Sequence, residues 1–469
     1  MNNWQQLLNS SRRRIAENAM KHVNSINIRT ELERDYDRIL FSAPLRRLSD
    51  KTQVFPLEKN DSVRNRLTHS HEVSNLARSI GINLAFNHQF AESAECSNRN
   101  VPALLAAIGL AHDIGNPPFG HQGEMAIRKW FEDNYDEVFD ERCGLSKAMK
   151  SDFLRFEGNA QTFRILTRLQ LINDDFGLNL TYATLAALLK YPVPSDEIDC
   201  QSIVSKKHGF FQSEKEIVNG VWQQTGLQMG VRHPLTYVME SCDDIAYSVC
   251  DTEDTVKKGL VSFTDVIAYL KHEGKDDPII NIVCQQSENK YFEYRREDLA
   301  PAELNDISMQ MFRVCAISIM VQEITKVFLE FREEYEKGYS IKDLMSRSRA
   351  KVFCDTLKQF NYKHAYQHKT VLKVELTGYN AVADLMDMLW YSITDREDKE
   401  NPASMRNTPF SKFAYGRISE NYRRVFESPK NEMPIRYREL QLLTDMVSGM
   451  TDSYLISLCD ELKSLVGGQ

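Results

Sequence analysis

Hydrophobic residues recur at intervals of three and four along most of the chain. One stretch places Val73, Leu76, Ala77, Ile80 and Leu84 on one side of a helix. Because this spacing is typical of amphipathic helices, we predict a mainly α fold. The predicted helices cover residues 30–48, 69–87, 102–113, 122–133, 158–172, 181–190, 234–256, 303–337, 342–359, 379–394, 416–426 and 436–464.

Two other patterns mark segments outside these helices. Residues 370–376 (TVLKVEL) alternate in polarity and carry β-branched side chains, so we expect a minor β element there. Polar residues without regular spacing predict loops at 88–100, 134–150, 192–216 and 395–412. The chain shows no internal repeat and no low-complexity tract.

A domain boundary is placed near residue 260. The residues suited to chemistry precede this point, and long helical segments follow it. We therefore expect a catalytic region at residues 1–260 and a helical C-terminal region at residues 261–469. The alternative, one fused helical body, stays open at this stage.

Composition and charge restrict location and partners. The 469 residues are 42% hydrophobic, and no apolar stretch approaches the roughly 20 residues of a membrane-spanning helix. Without a secretory signal, and with nine cysteines that form no CxxC motif, we expect a cytoplasmic protein with reduced thiols and no membrane contact. The net charge of -8 repels nucleotides, so an anionic ligand requires a cation or basic clusters such as those at 46–47, 64–66 and 206–207.

Four side chains suited to metal binding fall on predicted helices. His69 and His112 each lie four residues from an apolar helical position, so both imidazoles continue buried stripes. Asp113 adjoins His112, and Asp243 borders the apolar stripe of the helix at 234–256. Two imidazoles and two carboxylates suit Mn, Fe, Ni, Co or Mg and differ from the thiolate-rich set of structural zinc sites. The simpler interpretation is a set of hydrogen-bonded core histidines and a solvated acidic helix face.

Further polar residues extend this candidate site. His121 and Glu124 follow a Gly/Pro-rich turn after the His-Asp pair, and a carboxylate three residues away orients a histidine for acid/base work. A polar pair at a helix start is the alternative interpretation. Asp243, Tyr247 and Asp251 recur at steps of four and form a polar seam beside the buried side of their helix.

The residues His69, His112-Asp113 and Asp243 resemble the H…HD…D pattern of HD-domain phosphohydrolases. Longer strings resemble the bacterial dGTPases, which are deoxynucleoside triphosphate triphosphohydrolases, and the likeness extends from near residue 30 to Asp452. These strings are RRLSDKTQVFPLE (46–58), RLTHS (66–70), HDIGNPPFGH (112–121), FEGNAQ (156–161), SCDDIAY (241–247) and SGMTD (448–452). Ser241-Cys242 and His208 depart from the usual family residues.

The resemblance implies a fold, a reaction and a set of roles. It implies an HD-type helical core that hydrolyses a dNTP, with dGTP preferred, to deoxynucleoside and tripolyphosphate by attack of water at the α-phosphorus. The implied cofactor is a divalent metal, Mg²⁺ or Mn²⁺ before Fe, Co or Ni, which activates a bound water. The implied roles are metal binding for His69, His112, Asp113 and Asp243, and catalysis for His121 and Glu124. Phosphate binding is implied for Arg66 and for the pair Lys206 and Lys207, with the contacting lysine left open, and sugar binding for Gln53, Tyr247 and Asp251.

The resemblance also implies a homo-oligomer, commonly a hexamer, and dNTP or single-stranded DNA as effectors. Two alternatives to the leading function stay open. One is another HD activity, such as a nucleotidase or a cyclic or alarmone phosphodiesterase. The other is a nucleotide-sensing or single-stranded-DNA-binding protein with a regulatory HD site, suggested by the basic and aromatic residues at 415–424.

Overall fold

The structure is a computed structural model that describes residues 3–14, 28–170, 176–338 and 342–466. The first part of the chain forms helices α1 (Trp4–Leu7), α2 (Glu31–Leu40), α3 (Ala43–Arg47), α4 (Arg66–Asn87), α5 (Ser97–Ala111), α6 (Gly120–Asp133), α7 (Tyr135–Val138), α8 (Lys147–Leu154), α9 (Gly158–Thr167), α10 (Tyr182–Leu188), α11 (Lys215–Thr225) and α12 (Pro234–Lys257). The remainder forms α13 (Phe263–Glu273), α14 (Pro278–Tyr294), α15 (Pro301–Glu330), α16 (Arg332–Lys337), α17 (Leu344–Arg347), α18 (Lys351–Asn361), α19 (Lys369–Thr394), α20 (Pro409–Gly416), α21 (Glu420–Glu427), α22 (Ile435–Ser448) and α23 (Asp452–Val466). The prediction of a mainly α fold is confirmed.

Side-chain caps fix where several of these helices begin. Thr30 accepts a hydrogen bond from the backbone N–H of Glu33, and the Glu33 carboxylate accepts one from the backbone N–H of Thr30. Asn65 caps α4 in the same way through Thr68. These reciprocal bonds satisfy N–H groups that the first turn of a helix leaves without partners.

The close contact between α4 and α5 is the centre of the catalytic half. A side chain at Gly109 would place its Cβ 2.9 Å from the backbone of Ser74, and one at Gly81 would place it 2.9 Å from the backbone of Pro102. Glycine at both positions lets the two backbones meet, because any larger residue would push the helices apart. This contact sets the distance between His69 on α4 and His112 after α5.

Helices from beyond residue 260 cover this centre. Helices α15 and α18 pack on α12, α19 packs on α6, and α22 and α23 pack on α19. The main apolar core joins buried residues from both regions, from Trp4 to Leu462. The domain boundary near residue 260 stays a prediction, because contact between the two regions does not show whether they are separate domains.

The predicted β element is wrong, because residues 370–376 belong to α19. Its buried residues, among them Val371, Gly378, Val382 and Leu385, recur at helical spacing and face the rest of the fold. A strand requires a hydrogen-bonded neighbour, and within the described ranges the β contacts are isolated bridges. The local alternation of β-branched residues was therefore overridden by tertiary packing.

Several boundaries also differ from the predictions. The segments at 30–48, 303–337, 342–359 and 436–464 each divide into two helices, the first of them at Ser42, whose hydroxyl caps α3. Helices α8 and α11 begin within the predicted loops at 134–150 and 192–216, and α13 and α14 were not predicted. The end of the predicted helix at 158–172 falls partly outside the described residues. None of the helices described here is both long and apolar enough to cross a membrane.

We expect the buried ion network around Arg164 to support this fold. Its guanidinium lies 2.7 Å from Asp445 and 2.9 Å from Glu214, and all three side chains are buried. Arg164→Met removes the guanidinium that two buried carboxylates share, so the free energy of unfolding should fall by about 3–5 kcal/mol in urea titration. Arg142→Met, at an exposed pair with Asp140, is the control that should leave the midpoint unchanged. Equal midpoints for the two variants would contradict the assignment.

Candidate active site

The two predicted histidine ligands lie side by side. The rings of His69 and His112 are 5.5 Å apart between centroids, and both residues are buried or nearly so. The Nδ1 of His112 lies 2.7 Å from the carbonyl oxygen of Gly109. Donation of the Nδ1 proton to this carbonyl leaves the Nε2 lone pair for a metal, which is how protein metal sites usually fix the histidine tautomer.

The two predicted carboxylate ligands complete the cluster. Oδ1 of Asp243 lies 3.0 Å from Nε2 of His69 and 3.5 Å from Nε2 of His112. Oδ1 of Asp113 lies 3.6 Å from the same His112 nitrogen. The ligand atoms of His69, His112 and Asp113 all fall within 4.8 Å of one another. The donor set of two imidazoles and two carboxylates fits a divalent cation.

Burial and neighbouring charges shift the pKa values of the cluster in opposite directions. Burial alone lowers the pKa of His112, but the carboxylates of Asp113 and Asp243 outweigh it and raise this pKa to about 9. Burial raises the pKa of Asp113, but Arg66 and His112 hold it well below its usual range. A proton and a divalent cation therefore compete for the same His112 imidazole.

Arg66 and Asn116 orient the Asp113 carboxylate from two sides. The Arg66 guanidinium donates to Oδ2 of Asp113 at 2.5 Å and to the carbonyl of Thr52 at 3.1 Å. The amide of Asn116 donates to the other carboxylate oxygen at 2.6 Å. The structure thus places the predicted phosphate-binding arginine directly beside the cluster of His and Asp side chains.

The predicted choice of Asp243 over its neighbour Asp244 agrees with the geometry. Asp244 makes a different contact, since its carboxylate lies 2.6 Å from Nζ of Lys358. Asp243 alone of the pair faces the imidazoles.

The candidate acid/base pair lies at the start of α6. Nδ1 of His121 is 3.2 Å from Oε2 of Glu124, and the His121 side chain is 87% exposed. Glu124 is buried, and its other carboxylate oxygen accepts from the backbone N–H of Gly158 at 2.9 Å. Burial raises the pKa of Glu124, but the contacts with His121 and Lys207 lower it below its usual value. An ionised glutamate therefore holds an accessible imidazole.

Lys207 lies beside this pair and is held by a buried acid. Its ammonium group is 2.9 Å from Oε1 of Glu157, which also contacts Arg128. Burial lowers the pKa of Lys207, but Glu157 and Glu124 outweigh it and raise this pKa. Lys206 is exposed. The structure therefore places Lys207 near His121 and Glu124, whereas Lys206 faces solvent.

Two of the three predicted sugar-binding residues have a buried polar atom without a hydrogen-bond partner. The Tyr247 ring lies 5.8 Å from that of Tyr366, whose hydroxyl donates to Oδ2 of Asp251 at 2.7 Å. The other Asp251 oxygen, Oδ1, and Oε1 of Gln53 are buried without a hydrogen-bond partner. Two orphaned acceptors of this kind fit hydroxyl donors of a ligand.

Further residues, most of them from beyond residue 260, also contact the site, and the hydrophobic periodicity did not single them out. Tyr366, which lies 115 positions after Asp251, donates a hydrogen bond to the Asp251 carboxylate. Asn361 accepts one from Thr252, which lies next to Asp251 on α12. Lys51 and Asp452 contact the loops around Asn116 and Phe119. Their role depends on chain segments that meet only after folding, so local spacing contains no trace of it.

Comparisons with known proteins agree with this arrangement. The HD domain family model matches residues 66–152, which include every candidate ligand except Asp243. The chain is 35% identical to a deoxyguanosinetriphosphate triphosphohydrolase-like protein of Listeria innocua, over 98% of this chain and 99% of the relative. It is 30% identical to a deoxyguanosinetriphosphate triphosphohydrolase of Serratia proteamaculans, over 94% of each chain.

The helical fold and the His-Asp cluster define a hydrolase of the HD-domain class. Within that class, the near full-length identity places this chain in the deoxyguanosinetriphosphate triphosphohydrolase family, whose members include the dGTPase-like proteins.

The adjacent acids Asp243 and Asp244 offer a matched test of the metal site. Asp243→Asn replaces a charged ligand, so the affinity for Mn²⁺ should fall by about 10- to 100-fold. Asp244→Asn changes only the contact with Lys358 and should bind Mn²⁺ as the unaltered protein does. Titration of Mn²⁺ followed by electron paramagnetic resonance measures both affinities. Equal losses in the two variants would remove Asp243 from the ligand set.

Proposed function

We propose that this enzyme hydrolyses deoxynucleoside triphosphates, with dGTP preferred, to the deoxynucleoside and inorganic tripolyphosphate. The observation that supports this most is the position of Arg66, which connects the metal cluster through Asp113 to the loop that carries Gln53. Family membership supports the same reaction class, since the relatives are named for the triphosphohydrolysis of dGTP.

A divalent metal held by His69, His112, Asp113 and Asp243 would polarise the α-phosphate and lower the pKa of a bound water. Magnesium or manganese is the proposed cation, and iron, cobalt and nickel suit the same donors. The planar guanidinium of Arg66 would bind phosphate oxygens beside this cluster.

His121 is the proposed acid/base residue. Glu124 fixes its Nδ1, so Nε2 would point toward the substrate and carry a proton to or from the reacting oxygen. The nearby ammonium of Lys207 would bind the polyphosphate, and the neighbouring Lys206 would contribute charge from solvent. Water attacks phosphorus, the bond to the 5′-oxygen of the nucleoside breaks, and the proton released by water balances the one taken up by that oxygen.

Sugar recognition is proposed for Gln53, Tyr247 and Asp251. The two unpartnered oxygens of Gln53 and Asp251 would accept hydrogen bonds from the sugar hydroxyl. The Tyr247 ring, packed near Tyr366, would occupy the space that a 2′-hydroxyl requires. Deoxyribose would fit this site, and ribose would collide with the ring.

We also propose assembly into a homo-oligomer, with a hexamer expected, and response to dNTP or single-stranded DNA effectors. The basic and aromatic stretch at 415–424 lends little support to a primary DNA-binding role. Tyr415 is buried with its hydroxyl on Glu427, and Arg417 pairs with Glu461 at 3.2 Å. These contacts support a structural role for the stretch.

The products distinguish the proposed reaction from other HD activities. Incubation with each dNTP and Mn²⁺ or Mg²⁺ should yield tripolyphosphate and deoxynucleoside, resolved by ion-exchange chromatography, and dGTP should react fastest. Orthophosphate released from a nucleoside monophosphate would favour a nucleotidase instead. No product from any dNTP, with effectors added, would overturn the proposal.

The same assay tests His121. His121→Ala should lower kcat by about 10²- to 10⁴-fold, because the proton transfer loses its acid/base group. His272→Ala is a matched control, since His272 is also exposed and also lies 3.1 Å from a neighbouring glutamate, but on α13. Comparable kcat values for His121→Ala and the control would exclude the assigned role.

Sugar selectivity tests Tyr247. Tyr247→Ala should raise the ratio of GTP to dGTP hydrolysis by about 10-fold or more, because the ring no longer excludes the 2′-hydroxyl. Tyr247→Phe keeps the ring and should keep the ratio. A ratio that does not change in Tyr247→Ala would show that discrimination arises elsewhere.

A further inference from the structure

Three segments distant in sequence meet at the side chain of Asp452, the first residue of α23. One carboxylate oxygen accepts hydrogen bonds from the backbone N–H and the hydroxyl of Thr52. The other accepts from the backbone N–H of Phe119 at 3.0 Å. Asp452 is 1% exposed, so these protein donors replace the water that an aspartate normally binds.

Lys51 supplies the opposite charge at the same junction. Its ammonium group, also buried, donates to the carbonyl of Asn116 at 2.6 Å and to that of Ser448 at 2.8 Å. Burial lowers the pKa of Lys51 to about 7, and the negative charge of Asp452 opposes this shift. Buried charges are costly and are retained where they fix the register of the parts that they join.

Both segments that Asp452 joins lead directly to the proposed chemistry. The backbone carbonyls of Lys51 and Thr52 accept from the backbone N–H and the guanidinium of Arg66, each at 3.1 Å. Phe119 is the left-handed residue, with φ 59°, that precedes α6, and His121 follows it by two positions. The Asp452 carboxylate thus connects the segment that binds Arg66 with the turn that precedes His121.

We propose that Asp452 is a positioning residue that sets Arg66 and His121 over the metal cluster. The inference rests on the proposed function, since it assigns Asp452 to the same reaction. Asp452 bonds to none of the four metal ligands, which lie on α4 and α12 and at the end of α5. Its loss should therefore slow turnover far more than it weakens metal binding, whereas general unfolding would abolish both.

The first test replaces the charge and keeps the shape. In Asp452→Asn one acceptor becomes an amide that faces a donor, so Thr52 or Phe119 loses its bond and kcat should fall by about 10- to 100-fold. The affinity for Mn²⁺ should change much less than kcat, because Asp452 reaches the ligand Asp113 only through Thr52 and Arg66. Ser453→Ala is the neighbouring control, because its hydroxyl contacts only the exposed side of Asp50, and it should keep full activity. Full activity in Asp452→Asn, or a parallel loss of Mn²⁺ binding, would overturn the proposal.

A double-mutant cycle with His121→Ala tests positioning directly. If Asp452 acts through His121, the Asn substitution should cost much less in the His121→Ala background than in the unaltered protein. The same fold-loss in both backgrounds would show that Asp452 acts independently of His121 and would contradict the proposal. Absence of tripolyphosphate from the unaltered protein would instead contradict the proposed function, so the two failures are distinguishable.

A second pair of variants applies if Asp452→Asn does not fold. Thr52→Val removes the hydroxyl donor and Thr52→Ser retains it. The valine variant should lose kcat and the serine variant should recover it, and the Mn²⁺ affinity should change much less than kcat. Equal kcat values in the two variants would contradict the proposal.

Discussion

The close contact of α4 and α5 is the constraint on which the site depends. Glycines at positions 81 and 109 allow backbone atoms to approach where any side chain would collide. That approach brings His69 and His112 to 5.5 Å between ring centroids, close enough for both to face the Asp243 carboxylate of α12. The remaining helices hold this trio in a buried setting, where fixed charges interact strongly.

Sequence periodicity predicted the elements that carry the ligands, because His69 and His112 continue apolar stripes that any helical packing would bury. It failed at residues 370–376, where β-branched residues favour a strand locally and packing of α19 against α6 decides for a helix. It also missed Tyr366, whose partner Asp251 lies 115 positions away, and Asp452, whose partner Thr52 lies 400 positions away. The spacing of apolar residues predicts which side of a single helix is buried, whereas these contacts form only between different helices and loops.

The charges of the site explain how an acidic protein can bind a polyanion. Arg66 and Lys207 supply positive charge locally, yet the former pairs with Asp113 and the latter with Glu157. Each cation is thus partly neutralised within the protein, and the His-Asp cluster contributes one further carboxylate, that of Asp243. A bound divalent cation would change this balance, so metal and substrate binding should depend on each other.

The unpartnered oxygens of Gln53 and Asp251 connect stability with selectivity. A buried acceptor without a donor makes the folded state less stable, by roughly 1–3 kcal/mol for each such group. A ligand hydroxyl that donates to these atoms recovers that free energy, whereas a ligand without one does not. Substitutions that satisfied the same atoms from within the protein would therefore yield a more stable fold and a less discriminating enzyme.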